Sequence, residues 1–304
     1  MNTSSKIIPL RTLLIVAFAI VYVVWGSTYL AIRVAVETLP PFLMAGARFL
    51  AAGVLMFAWL RLKGAALPDK NQWFHAAIAG FLLLLGGNGL VVWAEQTVSS
   101  SLAALLVALT PVWFALLDWA RPAGKCPATY TWIGIVVGFA GVALLVTGHN
   151  VSSVNAAQNP WGVAALVLAG LSWAAGSLWS RYHAKPESPW MNAALQMICG
   201  GAALLLLALI HGEPARFHLA QVSMQSWSAL LYLIVFGSWI AFSAYVWLLK
   251  VSTPARVATY AYVNPLIAVL LGHLMLGEAL GERALWAAGV ILAGVIITTL
   301  PKRG

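Results

Sequence analysis

The second half of this chain repeats the first, and the repeat unit holds an odd number of apolar spans. At an offset of 148 residues, Trp25, Arg33, Pro41, Ala45 and Gly53 recur as Trp173, Arg181, Pro189, Ala193 and Gly201. At an offset of 154, Trp93, Ala104, Pro111 and Trp132 recur as Trp247, Ala258, Pro265 and Trp286. The change of six fits within one polar loop. Matching alanines are expected in an apolar chain, but Trp, Arg and Pro keeping register together are not. With five membrane spans per unit, the second copy must enter the bilayer from the opposite face. Two halves related by an axis in the membrane plane can rock about a central site. The pattern implies a chain that moves something across a membrane.

Composition supports the spans. Apolar residues make up 62% of the chain and charged residues 8%, against about 25% charged in a soluble domain. Crossing roughly 30 Å of hydrocarbon takes about 20 apolar residues. Ten stretches qualify: 12–34, 41–60, 73–94, 100–119, 129–148, 161–180, 189–210, 226–248, 254–275 and 284–300. The expected architecture is all-α integral membrane, ten transmembrane helices in two inverted five-helix repeats around a central cavity. The repeats are residues 1–150 and 151–304. The basic N-terminus before an apolar run resembles a signal peptide. However, the run continues through Trp25 and Tyr29 without a small-residue cleavage site, so it reads as a retained first span.

The formal charge of +9 orients the chain and does not call for a nucleic-acid partner. With the N-terminus inside, thirteen Lys and Arg fall on the inner side. Only Arg33, Arg216 and Arg283 fall outside, and Arg48 lies within a span. That bias places both termini in the cytoplasm. Cys126 in an inner loop and Cys199 in the seventh span predict no disulfide. Span 5 carries Gly134, Gly138 and Gly141, and span 10 carries Gly289 and Gly294. Such ridges let backbones pack closely where lipid gives no hydrophobic drive, so these helices read as scaffold. Pro111 and Pro265 occupy matching positions in spans 4 and 9. Each is either a hinge or a static kink.

Several short motifs then fall in order: Trp25-Gly26-Ser27-Thr28, Pro40-Pro41, Arg48 through Ala52, Tyr262-Val263-Asn264-Pro265 and Leu276-Gly277-Glu278-Ala279-Leu280. Together they resemble the EamA-type ten-helix exporters of the drug/metabolite transporter (DMT) superfamily, along essentially the whole chain. The resemblance implies a bacterial inner-membrane exporter of amino acids or similar small metabolites, working by alternating access. It also implies a cavity between the halves, with spans 5 and 10 outside it. The stretch from Asp118 to Lys125, which corresponds to the Leu-Gly-Glu turn in the first half, lacks that motif.

Candidate solute-binding residues follow from where polar and aromatic groups fall inside spans. They are Trp25, Thr28, Tyr29, Arg48, Asn88, Trp173, Ser177, Trp239, Tyr260 and Asn264. Hydroxyls, amides and aromatic faces suit a zwitterionic or weakly polar solute with an apolar side chain. Trp93 and Trp247, near span ends, read as interfacial belt residues. A charge at a helix centre costs about 2.5–3.5 kcal/mol on insertion scales, so Arg48 must face protein or water. It either anchors a carboxylate or pairs with Glu95, Glu37 or backbone carbonyls. Glu95 could couple transport to protons if withdrawn from water, or be an ordinary interfacial acid. His273, near the end of span 9, reads as structural. No phosphate loop, HExxH or metal-ligand spacing occurs. The expectation is therefore no cofactor, no metal and no enzyme, with a small-molecule solute, the lipid bilayer, and a monomeric or homodimeric state. A broad-range exporter of amphipathic drugs, a passive pore and an integral-membrane enzyme remain the alternatives.

Overall fold

The computed structural model describes residues 9–94, 98, 103, 106–122, 124–146, 159–183, 185–186, 188–276 and 282–299. Ten principal helices order these residues: α1 Leu10–Val36, α2 Pro41–Leu62, α3 Lys70–Ala94, α4 Thr110–Ala120, α5 Thr129–Val146, α6 Pro160–Tyr182, α7 Pro189–Ile210, α8 Met224–Val251, α9 Tyr260–Leu276 and α10 Glu282–Thr299. Six of them, α1, α2, α3, α6, α7 and α8, are long and apolar enough to cross a bilayer. α5 and α10 contain the shorter apolar helices Thr129–Leu145 and Leu285–Thr299.

The helix starts obey local chemistry. Proline opens α2, α6 and α7, where its missing N–H has no helical partner to lose. Asp69 and Gln72 form a reciprocal capping box at α3. Asn159, Ser188 and Ser223 accept backbone N–H bonds at the starts of α6, α7 and α8.

Helix packing follows the repeat. α1 packs on α8 and α9, and its counterpart α6 packs on α3 and α4. α2 packs along α7, and α5 along α10, so each of these pairs is its own counterpart. α2 also meets α8 as α7 meets α3. These matched contacts are those of a two-fold axis running between α2 and α7.

The α5–α10 pair shows why glycine is needed. A side chain on Gly294 would run into the backbone of Gly138, and one on Gly138 would lie 2.7 Å from the Tyr262 ring. Gly289, in contrast, faces open space and takes no part in the seam.

One face of the bundle carries the α1–α2 turn and the segment after α7. There Glu213, buried at 3% exposure, accepts the backbone N–H groups of Phe42 at 3.2 Å and Leu43 at 2.6 Å. A carboxylate from the second repeat thus caps the first turn of α2, where the helix dipole favours negative charge. Glu213→Ala leaves those N–H groups without that acceptor. Thermal unfolding in detergent should show a loss of about 1.5–3 kcal/mol, with Glu213→Gln recovering part of it.

Candidate functional site

Four aromatic side chains meet where the repeats join. Trp25 of α1 is 8% exposed. Its ring centroid lies 5.6 Å from that of Trp173 in α6, 4.9 Å from Tyr245 in α8 and 5.0 Å from Tyr260 in α9. The Trp25 rings cross Trp173 and Tyr260 edge to face, the arrangement the aromatic quadrupole prefers. Hydrogen bonds fix the cluster. Trp173 Nε1 donates to the Tyr245 hydroxyl at 2.9 Å, and that hydroxyl lies 2.5 Å from Ser177 Oγ. Below it, Tyr22 and Thr259 share a hydroxyl bond of 2.6 Å.

The cluster rests on two stretches of wide helix. α3 is π-helical over Phe81–Gly89, and α8 over Leu233–Phe242. At an offset of 154 the first stretch maps onto residues 235–243, so the distortion itself is repeated. A π turn loosens the ordinary backbone ladder and is frequent at functional sites. Side chains from the opposite repeat bind its carbonyls. Ser172 Oγ of α6 donates to Leu82 O in α3 at 2.8 Å, and Trp25 Nε1 of α1 donates to Gly237 O in α8 at 3.1 Å. Glycines admit the close approach: a side chain on Gly87 would lie 2.6 Å from Trp173 Cε3.

Arg48 stands beside this cluster. It is 4% exposed, its Nε donates to Ser238 Oγ at 2.8 Å, and its guanidinium carbon lies 4.4 Å from the Phe49 ring centroid. Its Nη1 is buried without a hydrogen-bond partner, as are Oδ1 of Asn88 and Oδ1 of Asn264. The other expected residues are placed less centrally. Thr28 is buried, but its hydroxyl donates to Trp25 O within its own helix at 2.7 Å. Tyr29 is half-buried one turn above Trp25, and Trp239 is half-buried against the main core. Pro111 opens α4, directly after a break at residues 108–109, whereas Pro265 lies inside α9. Glu95, Glu278 and the side chain of His273 lie outside the described residues.

Access differs at the two ends. On the α1–α2 face a cavity of about 550 Å³ is lined by Glu37, Phe42, Trp93, His211, Glu213 and Arg216. Trp93 therefore lines a cavity rather than facing lipid alone. On the opposite face, Tyr182 of α6 donates to Asp118 of α4 at 2.8 Å, and Arg121 donates to the same carboxylate oxygen at 2.7 Å. Arg181 donates to the carbonyls of Leu249 and Ser252, closing the end of α8 against α6. Burial, then the like charges of Lys250 and Arg181, hold the Lys185 ammonium below the usual lysine value.

The family model for EamA-like transporters matches this chain twice, over residues 12–147 and 160–300. The chain belongs to the EamA-like transporter family. Inner membrane transporter YedA of Escherichia coli K12 is 41% identical over 282 residues, covering 92% of this chain and 89% of its own. A WAT1-related chloroplastic protein of Arabidopsis thaliana is 27% identical, covering 91% of this chain and 67% of its own. Protein PagO of Salmonella typhimurium is 25% identical, covering 94% and 93%. A solved crystal structure superposes with a TM-score of 0.78 over 97% of this chain and 99% of its own, at 19% identity. The EamA fold thus extends across the chain, and its role is that of a membrane transporter.

The residue sequence reasoning undervalued is Tyr245, whose hydroxyl organises Trp173 and Ser177. Its position at an offset of 154 is Val91, so the repeat gives no signal for it. The π segments were also unforeseen. Their one compositional trace is the Gly86, Gly87 and Gly89 cluster.

Proposed function

We propose that this EamA-family protein is a secondary carrier that exports small metabolites, foremost neutral amino acids, across a bacterial inner membrane by alternating access. One observation carries the reading. The repeat-equivalent Trp25 and Trp173 converge 5.6 Å apart at the join of the repeats, with hydroxyls and amides around them. An apolar side chain can lie on those rings while its polar end meets hydrogen-bonding groups. The thirteen-to-three distribution of Lys and Arg supports cytoplasmic termini. The 550 Å³ cavity then opens to the periplasm, and the Asp118–Tyr182 face points inward. The likeness to YedA supports the inner membrane.

In this reading the aromatic cluster closes the path below the solute site. The π stretches of α3 and α8, together with Pro111 and Pro265, supply the backbone give for exchanging which face is open. The buried charge of Arg48 disfavours cationic drugs as the main cargo. Counterflow in proteoliposomes tests the proposal, with labelled neutral amino acid outside and a panel of unlabelled metabolites inside. Accelerated, saturable uptake against one internal class supports it, whereas linear flux without exchange fits a pore and sinks it.

A further inference from the structure

We infer that the Nη edge of Arg48 binds the carboxylate of the transported solute, so that a free carboxylate is the group this carrier recognises. The inference rests on the carrier reading and names the solute chemistry of its site.

Arg48 is 4% exposed, about two turns into α2. Its Nε is engaged by Ser238 and its face by Phe49, yet Nη1 has no partner. Within the described residues, the one ion pair joins Asp118 and Arg121, at the other end of the molecule. A cation withdrawn from water carries a penalty of several kcal/mol unless an anion and hydrogen bonds offset it. A cation present only to hold helices together would be expected to have its donors filled by protein. Here Nε fixes the direction of the fork through Ser238, and Nη1 is left for something else. A carboxylate matches that edge with two parallel N–H bonds.

The neighbourhood has the matching shape. Residues 237 and 238 belong to the π stretch of α8. The carbonyl of Gly237 binds Trp25, and the next side chain, Ser238, binds Arg48. The guanidinium is therefore tied to the same turn as the aromatic cluster. A side chain at position 237 would meet Thr28 Cγ2 at 3.1 Å and Arg48 Nη2 at 3.6 Å. Glycine leaves no side chain in this corner, where Thr28 and the guanidinium come close. Partnerless amide oxygens of Asn88 and Asn264 are acceptors for a solute N–H or ammonium group. Asn264 lies one helical turn beyond Tyr260, which meets Trp25 edge to face, and its backbone oxygen borders Gly26. A zwitterion would find its anion at Arg48, an acceptor at Asn264 and an apolar surface on the rings between.

The test is counterflow of labelled leucine by the full chain in proteoliposomes. Unlabelled leucine, leucinamide and isopentylamine serve as competitors, and a wider panel of metabolites is run in parallel. The inference predicts that both compounds lacking the carboxylate compete about ten- to a hundredfold more weakly than leucine. Arg48→Gln should erase that ratio, Arg48→Lys should retain part of it, and Gly237→Ala should weaken leucine by filling the corner. The wild-type comparison needs no variant, so misfolding of Arg48→Gln leaves the test intact. Competition by leucinamide equal to leucine would overturn the inference while leaving the carrier reading in place. So would exchange confined to solutes without a carboxylate. An Arg48→Gln protein that melts earlier yet keeps the leucine-to-leucinamide ratio would make Arg48 structural and overturn it too. No exchange with any solute would overturn the carrier reading, and this inference with it.

Discussion

Trp25→Ala should abolish tight solute binding and lower stability, whereas Trp25→Phe should retain much of both. The alanine variant loses three ring contacts, to Trp173, Tyr245 and Tyr260, and the donor to Gly237 O. Ring pairs contribute about 0.5–1.5 kcal/mol each beyond burial, and truncating a buried Trp costs about 3–5 kcal/mol of stability. Phenylalanine keeps a ring but leaves the Gly237 carbonyl without its donor, a cost of about 1–3 kcal/mol. Equilibrium binding of labelled solute and thermal unfolding in detergent check both figures. If Trp25→Ala folds and binds with unchanged affinity, the cluster is packing and not a site.

The second large effect belongs to the scaffold. Gly294→Val should prevent accumulation of folded protein, because its added Cβ collides with the backbone N of Gly138 and lies 2.6 Å from that residue's Cα. Overpacking costs about 1–3 kcal/mol where neighbours can move, and backbone against backbone cannot. Gly289→Ala in α10 faces open space and should be neutral. Fluorescence-detected size-exclusion chromatography of the two variants separates the outcomes. A monodisperse, normally abundant Gly294→Val protein would mean that α5 and α10 are not locked together.

Much of this architecture was legible from residues alone. Twenty-residue apolar runs predicted most of the ten helices to within a few residues, because hydrocarbon thickness sets span length. By contrast, α4 and α9 begin at Thr110 and Tyr260, later than the expected 100 and 254. The recurrence of Trp25 as Trp173 named two members of the cluster, since an in-plane axis brings equivalent residues together. Arg48 stood out as a charge in a span, but whether its donors were filled depended on how α2 and α8 approach. The π stretches escaped because a change from i+4 to i+5 bonding alters neither composition nor hydrophobic period much. Glu213 lies in the polar loop after α7, where composition marks no single acid. Its role as cap for α2 depends on a contact 170 residues away in sequence, to Leu43. Tyr245 lacks a repeat partner, so the symmetry that found Trp173 was blind to it.

The most direct test places spin-label pairs across each of the two faces and measures both distances in the same proteoliposomes. One pair flanks the bond of 2.8 Å from Thr38 to Ser226 on the α1–α2 face. The other flanks the Tyr182–Asp118 contact on the opposite face. Distances are taken with and without a saturating concentration of an exchanged solute. The account predicts that one distance lengthens as the other shortens, with the balance set by solute. Distances that stay fixed, or that lengthen together, would contradict alternating access around the Trp25–Trp173 cluster.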